Sequence, residues 1–219
     1  MRKSAKAAES GERAADMRAE MRDRVLRAGF AAFRELGFDG ASTLEIATRA
    51  RVSKRELYAL FADKQSIVVE CIKWRTRQMQ VPLALPRPSD PQALLATLTK
   101  FGTAAMAGIC GPDVLIVFRF AITEAQRTPE IARALDERGR EPMRRIFIDL
   151  VSKAQEDGLL APAPPAEISA FFFSLLWGDL LLRLLMGLVK PPTKAEMEQR
   201  ARHAAEQVMA AYGKTGKPR

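Results

Sequence analysis

A short stretch of the N-terminal half brings together side chains that could contact a polyanion. Lys54, Arg55 and Tyr58 follow Ser53 within two predicted helical turns. Arginine and lysine can donate hydrogen bonds to the O6 and N7 atoms of guanine, and the N-terminal amides of a helix suit phosphate groups. The chemistry that these residue types favour is therefore recognition of a nucleic acid.

Two short helices are predicted to position these side chains. The hydroxyl pair Ser42 and Thr43 can cap the first helix, and Ser53 can cap the second after a break at residues 51–52. Apolar residues such as Leu57 recur on the inner side of the pair and would fix how the helices cross. Two short helices joined by a tight turn are what a helix-turn-helix motif requires.

Longer helices are predicted on both sides of this pair. Apolar residues at three- and four-residue spacing mark a helix from about 20 to 36, which Gly37 would end in a left-handed conformation. A second helix is expected from about 64 to 79, with Asp63 as its cap. Cys71 lies on the apolar side of that helix and is interpreted as a small buried residue rather than a reactive thiol.

The charge of the chain supports a polyanionic partner. Its 219 residues carry a formal net charge of +9, and residues 1–80 hold 17 Lys and Arg against 11 Asp and Glu. The shorter N-terminal part therefore carries two-thirds of the excess, on the side of the predicted motif. Residues 1–19 contain almost no large apolar side chains, so we expect a flexible basic tail or a frayed helical extension there, or else a basic arm that touches DNA.

Other chemistries find little support in the sequence. The two cysteines, Cys71 and Cys110, are far apart, and His203 is the single histidine, so neither a disulfide framework nor a metal site is predicted. No nucleophile elbow, glycine-rich phosphate loop or paired-carboxylate spacing is present, and we expect neither an enzyme nor a cofactor. The N-terminus lacks the apolar run of a secretory signal, and a cytoplasmic location is expected.

The second part of the chain is predicted to be a larger helical bundle. A proline-rich run between 81 and 91 separates it from the first part, and helical periodicity returns after residue 92. The most apolar stretch, 168–189, is as long as a membrane span, but Asp179 and Arg183 interrupt it, and each central charge costs roughly 3 kcal/mol in a bilayer. We therefore expect this stretch to lie between a core and a second subunit. No segment shows the alternation of a β-strand, so the predicted fold class is all-α.

Residues 43–64 resemble the DNA-binding motif of the TetR/AcrR family of transcriptional regulators. Ten positions agree with the family pattern at the correct spacing, within a match that covers roughly residues 22–72. These positions are Thr43, Ile46, Ala47, Ala50, Val52, Ser53, Leu57, Tyr58, Phe61 and Lys64. Three residues depart from the pattern: Arg51 stands where glycine is usual in the turn, Glu56 where a hydroxyl residue is frequent, and Leu60 where a polar residue often contacts phosphate. Glu56 could accept from a cytosine amine or pair with a neighbouring cation, and we favour the pair.

The resemblance implies a homodimer whose recognition helices enter the major groove of a palindromic operator. Carried over by position, Lys54, Arg55 and Tyr58 are expected on bases or adjacent phosphates. Thr43 and Ser53 are expected to cap helices whose N-termini face phosphate, and Lys64 to hold the DNA backbone through its charge.

The resemblance also implies a regulatory second domain that binds a small molecule. The C-terminal half resembles the family only in layout, and WGDLLLRLLMG is similar to the first of two dimer-forming helices. Dimer contacts are expected from Trp177, Leu181, Leu184, Leu185 and Val208. A pocket for a small hydrophobic effector is expected from Phe101, Met106, Phe118, Phe147 and Trp177.

The predicted architecture has three parts. These are a basic tail (1–19), a three-helix DNA-binding head with its connecting helix (20–80), and a helical ligand-binding and dimerisation bundle (81–219). The predicted function is a ligand-responsive repressor of transcription that binds double-stranded operator DNA and no membrane. The alternative is an architectural DNA-binding protein without ligand control.

Overall fold

The computed structural model describes residues 2–78 and 85–214, and these residues form two compact units. The first unit contains residues 2–78 and 120–134, and the second contains residues 85–119 and 135–214. The helices are α1 (Arg2–Gly40), α2 (Thr43–Ala50), α3 (Lys54–Leu60), α4 (Lys64–Gln78), α5 (Pro91–Ile109), α6 (Pro112–Thr123), α7 (Pro129–Leu135), α8 (Glu141–Glu156), α9 (Pro165–Trp177), α10 (Leu180–Leu185) and α11 (Lys194–Tyr212). No strand is present in the described ranges, so the all-α prediction is confirmed.

Helices α1 to α4 of the first unit pack around one apolar core. Leu26 of α1, Ile46 of α2, Leu57 of α3 and Ile67 of α4 are all nearly or completely buried in it. Gly29 lets α1 and α4 approach closely, because a Cβ atom there would lie 3.2 Å from the Ile67 side chain. Cys71 is buried as predicted, and its thiol donates to the carbonyl of Leu26. Burial raises the pKa of this thiol, which keeps it protonated.

Helix α1 differs from its prediction at both ends. It begins at Arg2 rather than near residue 20, so the segment expected as a tail is helical, the extension that was one of the alternatives. Gly37 has a positive φ of 71°, as predicted, but helical structure resumes after this kink and ends at Gly40. The first helix is therefore longer than its apolar stripe.

Residues 120–134 belong to the first unit, although the sequence suggested that everything after residue 80 forms one domain. The ring of Phe120 lies 5.1 Å from the ring of Phe38 and 6.4 Å from that of Phe33. Ile131 of α7 is completely buried. Residues 120–134 thus join the first unit through apolar contacts between residues distant in sequence. No local sequence pattern predicts that they belong to it.

The second unit has its own core of aromatic and aliphatic side chains. The rings of Phe101, Phe147 and Phe172 lie between 4.5 and 6.2 Å from one another. Helices α7 and α8 are continuous through a π-helical turn, Asp136–Arg140. Pro142 follows this turn and has no N–H to donate to the preceding turn, which explains the local widening of the helix.

The most apolar stretch is broken rather than continuous. Helix α9 ends at Trp177 because Gly178 takes φ 46° and ψ −126°, and α10 starts two residues later. Asp179 and Arg183, four residues apart, form an ion pair at 3.7 Å. Among the described residues, no single helix is long and apolar enough to cross a membrane. Helices α5 and α6 together reach that length and apolar composition, but they are bent by 67° relative to each other.

Candidate nucleic-acid interface

Helix α2 is capped by Ser42, not by Thr43. The hydroxyl of Ser42 accepts from the backbone N–H of Glu45 at 3.1 Å, and Ser42 has the extended conformation of an N-cap residue. The prediction that Thr43 is the cap is wrong, because Thr43 already has its place in the first helical turn. Its side chain is therefore available for another contact.

That contact joins the two helices of the motif. The Thr43 hydroxyl lies 3.2 Å from the phenol oxygen of Tyr58 on α3, and either oxygen can donate. A hydrogen bond between these side chains ties the start of α2 to the outer face of α3. Leu44, beside Thr43 at the same end of α2, is an apolar side chain that is 62% exposed, and no sequence pattern predicted this exposure.

Helix α3 begins with a reciprocal capping box. The Ser53 hydroxyl accepts from the backbone N–H of Glu56 at 3.1 Å, and the Glu56 carboxylate accepts from the backbone N–H of Ser53 at 2.7 Å. These hydrogen bonds from Ser53, first from its backbone, lower the pKa of Glu56. The expectation that Glu56 pairs with a neighbouring cation is wrong, since its carboxylate closes the helix start instead.

The start of α3 carries two exposed cations. Lys54 and Arg55 are exposed, and neither forms an ion pair within the described part of the protein. The Lys54 ammonium lies 6.0 Å from the centroid of the Tyr58 ring, whose side chain is itself partly exposed. Lysine, arginine and a phenol thus share one outer surface, while Leu57 is completely buried beneath them.

Lys64 lies at the first position of α4 and is half-buried. Its ammonium is 4.2 Å from the centroid of the Phe38 ring, a cation–π contact within the first unit. Asp63 caps this helix as predicted, because its carboxylate accepts from the backbone N–H of Ser66 at 2.7 Å. Lys64 is therefore held by the protein more closely than Lys54 or Arg55.

Arg51 links α2 to α3 in a left-handed backbone conformation. Its φ and ψ are 55° and 48°, and it is the one non-glycine residue with positive φ in the described ranges. Its backbone N–H closes α2 by donating to Thr48 at 3.1 Å. For an L-residue this conformation costs about 1 kcal/mol, and the exposed side chain has no interaction within the described chain that would offset the cost.

Helices α1 and α4 hold the motif in place through charged contacts. Arg22 pairs with Glu70 at 2.6 Å and also lies over the Phe61 ring at the end of α3. The indole N–H of Trp74 donates to Asp23 at 2.6 Å. The base of the motif is thus fixed by both an apolar core and a polar layer.

The predicted effector residues divide between the core and the partly exposed surface of the second unit. Phe101, Met106 and Phe147 are completely buried in the packed core of the second unit, whereas Phe118 and Trp177 are half-buried. A groove of about 910 Å³ lies between α5 and α11, with Leu95, Thr103 and Met197 among its lining residues. None of the five predicted residues lines this groove.

The predicted dimer residues fall into two groups. Leu184 and Val208 are buried in the core of their own chain, so the prediction that they contact a second copy is wrong. Trp177, Leu181 and Leu185 are half-buried and retain some exposed surface. Three further apolar side chains lie on or just after α10 and are each more than 60% exposed: Leu182 and Met186, within the segment WGDLLLRLLMG, and Leu188, which follows it.

The described residues hold no group of three or more histidine, cysteine or acidic side chains arranged to bind a metal ion. The arrangement of the first unit, with two capped helices and exposed cations at the start of the second, suits binding of phosphate and base edges.

Family models match both parts of the chain. Residues 25–71 match the model of bacterial regulatory proteins of the tetR family. Residues 96–214 match the model of the C-terminal domain of AefR-like transcriptional repressors, which covers more than half of the chain. Among curated proteins, none matches the chain in sequence.

Solved structures of similar proteins span nearly the whole chain. A TetR transcriptional regulator from Agrobacterium tumefaciens has a TM-score of 0.80 at 25% identity, covering 89% of this chain and 95% of its own. The flavonoid-responsive regulator FrrA has a TM-score of 0.74 at 27% identity, covering 90% and 100%. A putative TetR-family regulator from Mesorhizobium loti, at 24% identity and a TM-score of 0.73, covers 90% and 98% and shares the fold.

Proposed function

We propose that this chain, which belongs to the TetR family of bacterial transcriptional regulators, is a repressor that binds a palindromic operator as a homodimer. A small hydrophobic effector would release it from the operator. The observation that carries the proposal is the exposed pair Lys54 and Arg55, unpaired within the described residues, at the capped start of α3. Helix α3 is the recognition helix in this proposal.

The contacts to DNA follow from the positions of the side chains. Lys54, Arg55 and Tyr58 would meet base edges or adjacent phosphates in the major groove, since all three are exposed on α3. Thr43 would orient the Tyr58 phenol through their 3.2 Å contact, and the amides at the start of α3, beside Ser53, would face phosphate. Lys64, which is held on the Phe38 ring, would add a sequence-independent attraction.

The second unit would supply the dimer contacts. Trp177, Leu181 and Leu185 keep exposed surface, and the exposed side chains of Leu182 and Met186 neighbour them in sequence. Exposed apolar side chains grouped in this way favour burial against a second copy. Leu184 and Val208 would support these residues from within the core.

The second unit is also the proposed site of the effector. FrrA, which shares 27% identity with this chain, is named as flavonoid-responsive, which supports a hydrophobic effector of similar chemistry. Effector binding must favour a dimer geometry that no longer fits the operator. An effector with equal affinity for the operator-binding and non-binding geometries would not shift the equilibrium between them. We place the protein in the cytoplasm, where it would meet DNA.

Selection of bound sequences from a random pool of double-stranded DNA tests the DNA-binding part. A palindromic consensus with half-sites about one helical turn apart is expected for a symmetric dimer. The Arg55→Ala variant should relax that consensus, whereas Lys64→Ala should weaken all sequences alike. Recovery of no consensus, with random competitor DNA displacing the protein fully, would favour the architectural alternative.

The effector part is tested with a flavonoid such as naringenin, added to the protein–operator complex at fixed salt. Release of DNA is expected, and its site can be assigned with two variants. Phe147→Ala alters the aromatic core of the second unit, whereas Ala104→Trp fills the groove between α5 and α11. A changed response in only one variant identifies the site, and an unchanged operator affinity at saturating naringenin would contradict control by a ligand of this class.

A further inference from the structure

The left-handed residue between α2 and α3 requires an explanation beyond the folding of the motif. Arg51 closes α2 through its backbone N–H, and any residue with an N–H, glycine included, could do this. Glycine would do so without the steric cost that an L-residue incurs at φ 55°. The arginine side chain is therefore not needed for the turn, and the turn would be less strained without it.

The strain is not offset by contacts of the side chain. Arg51 is exposed and forms no ion pair or hydrogen bond through its guanidinium with any described residue. The acidic residues nearest to Arg51 in sequence are engaged elsewhere, since Glu45 pairs with Arg49 at 2.7 Å and Glu56 closes the capping box of α3. The guanidinium is consequently a free cation.

The position of Arg51 in the chain indicates which partner its guanidinium could bind. Arg51 precedes Ser53, Lys54 and Arg55, the capped and cationic start of the proposed recognition helix, by only two to four residues. The residue belongs to the turn and not to α3. In the proposed complex with DNA, its side chain would therefore lie beside the recognition helix. Backbone strain that a fold does not need is typical of functional positions.

We infer that Arg51 is a further DNA-contacting residue, whose guanidinium binds a backbone phosphate flanking the groove that α3 enters. The inference rests on the proposed function. A phosphate is the expected partner because it is the charged group nearest the edge of the groove, and arginine binds it through two parallel N–H donors. The contact would contribute affinity that does not depend on the base sequence.

The variants Arg51→Gly and Arg51→Lys separate the strain from the charge. Without DNA, Arg51→Gly should raise Tm by about 1–2 °C, the balance between relieved strain and the greater freedom of glycine in the unfolded chain. Arg51→Lys keeps an L-residue and a charge, and should leave Tm unchanged. A fall in Tm for Arg51→Gly would mean that the guanidinium stabilises the C-terminal end of α2 instead, and would overturn the inference.

DNA affinity is measured on the selected operator and on a random duplex across a salt series. Loss of one phosphate contact per subunit should lower the slope of log affinity against log salt by about 2 in a dimer, on the order of 50-fold in affinity at 0.1 M salt. Both DNAs should lose affinity equally with Arg51→Gly, and Arg51→Lys should restore the slope. Lys190→Ala, which removes an exposed cation from the second unit, is the control for net charge and should leave the slope unchanged.

Two results of the DNA-binding measurement would also overturn the inference, and they are distinguishable from each other. If the wild-type protein binds the operator but Arg51→Gly binds it with the same slope, Arg51 makes no phosphate contact, and the proposed function stands. If the wild-type protein binds neither DNA, the proposed function fails, and this inference fails with it.

Discussion

The recognition motif and the α9–α10 region close their helices in opposite ways. In the motif, each helix start is capped by a residue three positions away: Ser42 with Glu45, and Ser53 with Glu56. In the second unit, the end of α9 is closed by Arg200, which donates to the carbonyls of Leu176 and Trp177. The caps of the motif are local in sequence, whereas the end of α9 is closed from another helix.

Arg119 repeats the long-range arrangement at the end of α10. Its guanidinium donates to the carbonyls of Leu184 and Leu185, both at 2.8 Å, from a position more than sixty residues earlier in the chain. A locally capped helix can form wherever its own segment lies, but a helix closed by a distant arginine depends on the packing of the whole unit. This difference leads to four predictions, from the largest expected effect to the smallest.

Arg200→Ala should destabilise the second unit most. Two hydrogen bonds from a charged donor to partly buried carbonyls are lost, and we expect the free energy of unfolding to fall by about 2 kcal/mol, measured by urea denaturation. Arg202→Ala is the control, because that arginine lies on the same helix, is exposed and forms an ion pair with Glu198 at 4.0 Å. Equal losses in the two variants would show that the long-range closure of α9 contributes no more than a surface charge.

Ser53→Ala should cost about 1 kcal/mol of the free energy of unfolding, since it removes one half of the capping box. Ser53→Asp keeps a capping oxygen and should retain most of that stability. It also places a negative charge where phosphate is proposed, so the affinity for operator DNA should fall sharply in a mobility shift. If Ser53→Asp binds DNA as well as the wild type, the start of α3 does not face phosphate.

Tyr58→Phe removes the contact that joins α2 to α3 without changing the ring. We expect a loss of about 0.5 kcal/mol in the free energy of unfolding, together with a relaxed preference for the selected operator. Thr43→Val removes the other hydroxyl and tests orientation separately from direct contact. A change in operator preference in both variants indicates that Thr43 positions the phenol, whereas a change in Tyr58→Phe alone indicates that the phenol acts without it.

The stabilising effect of the capping box of α3 should be lost only when the pH falls. Because hydrogen bonds lower the pKa of Glu56 in the folded protein, its stabilising effect is complete above the ordinary value of 4.5 and is lost as the pH falls from there through the folded value. The stability advantage of the wild type over Glu56→Gln should thus be present at neutral pH and vanish in acid, as measured by denaturation at matched salt. A constant difference across this range would show that the carboxylate is not held in the charged form.

The locality of the contacts also explains which expectations were correct. The caps at Ser53 and Asp63, the positive φ of Gly37 and the burial of Cys71 were all predicted, because each depends on residues within a few turns. The cap of α2 was expected at Thr43 and lies one position earlier, at Ser42. Sequence spacing alone cannot resolve such a shift when both residues carry a hydroxyl group.

Long-range contacts account for the expectations that failed. Gly178 breaks the apolar stretch after Trp177, and a Cβ atom on this glycine would approach the guanidinium of Arg200 to 3.0 Å, a contact that no local pattern announces. Leu184 and Val208 were expected at a dimer surface because an apolar helical stripe can face either a core or a partner. Only their neighbours on other helices decide between the two.

The sequence by itself determined the helical class, the helix-turn-helix and the side chains that it exposes, since periodicity and capping operate over three to seven residues. The tertiary structure alone decided that residues 120–134 join the first unit and that the aromatic side chains of the second unit fill its core. It also decided that Arg51 takes a left-handed conformation with a free guanidinium. These features depend on which distant surfaces meet or on the local φ angle, and neither is encoded in the spacing of residue types.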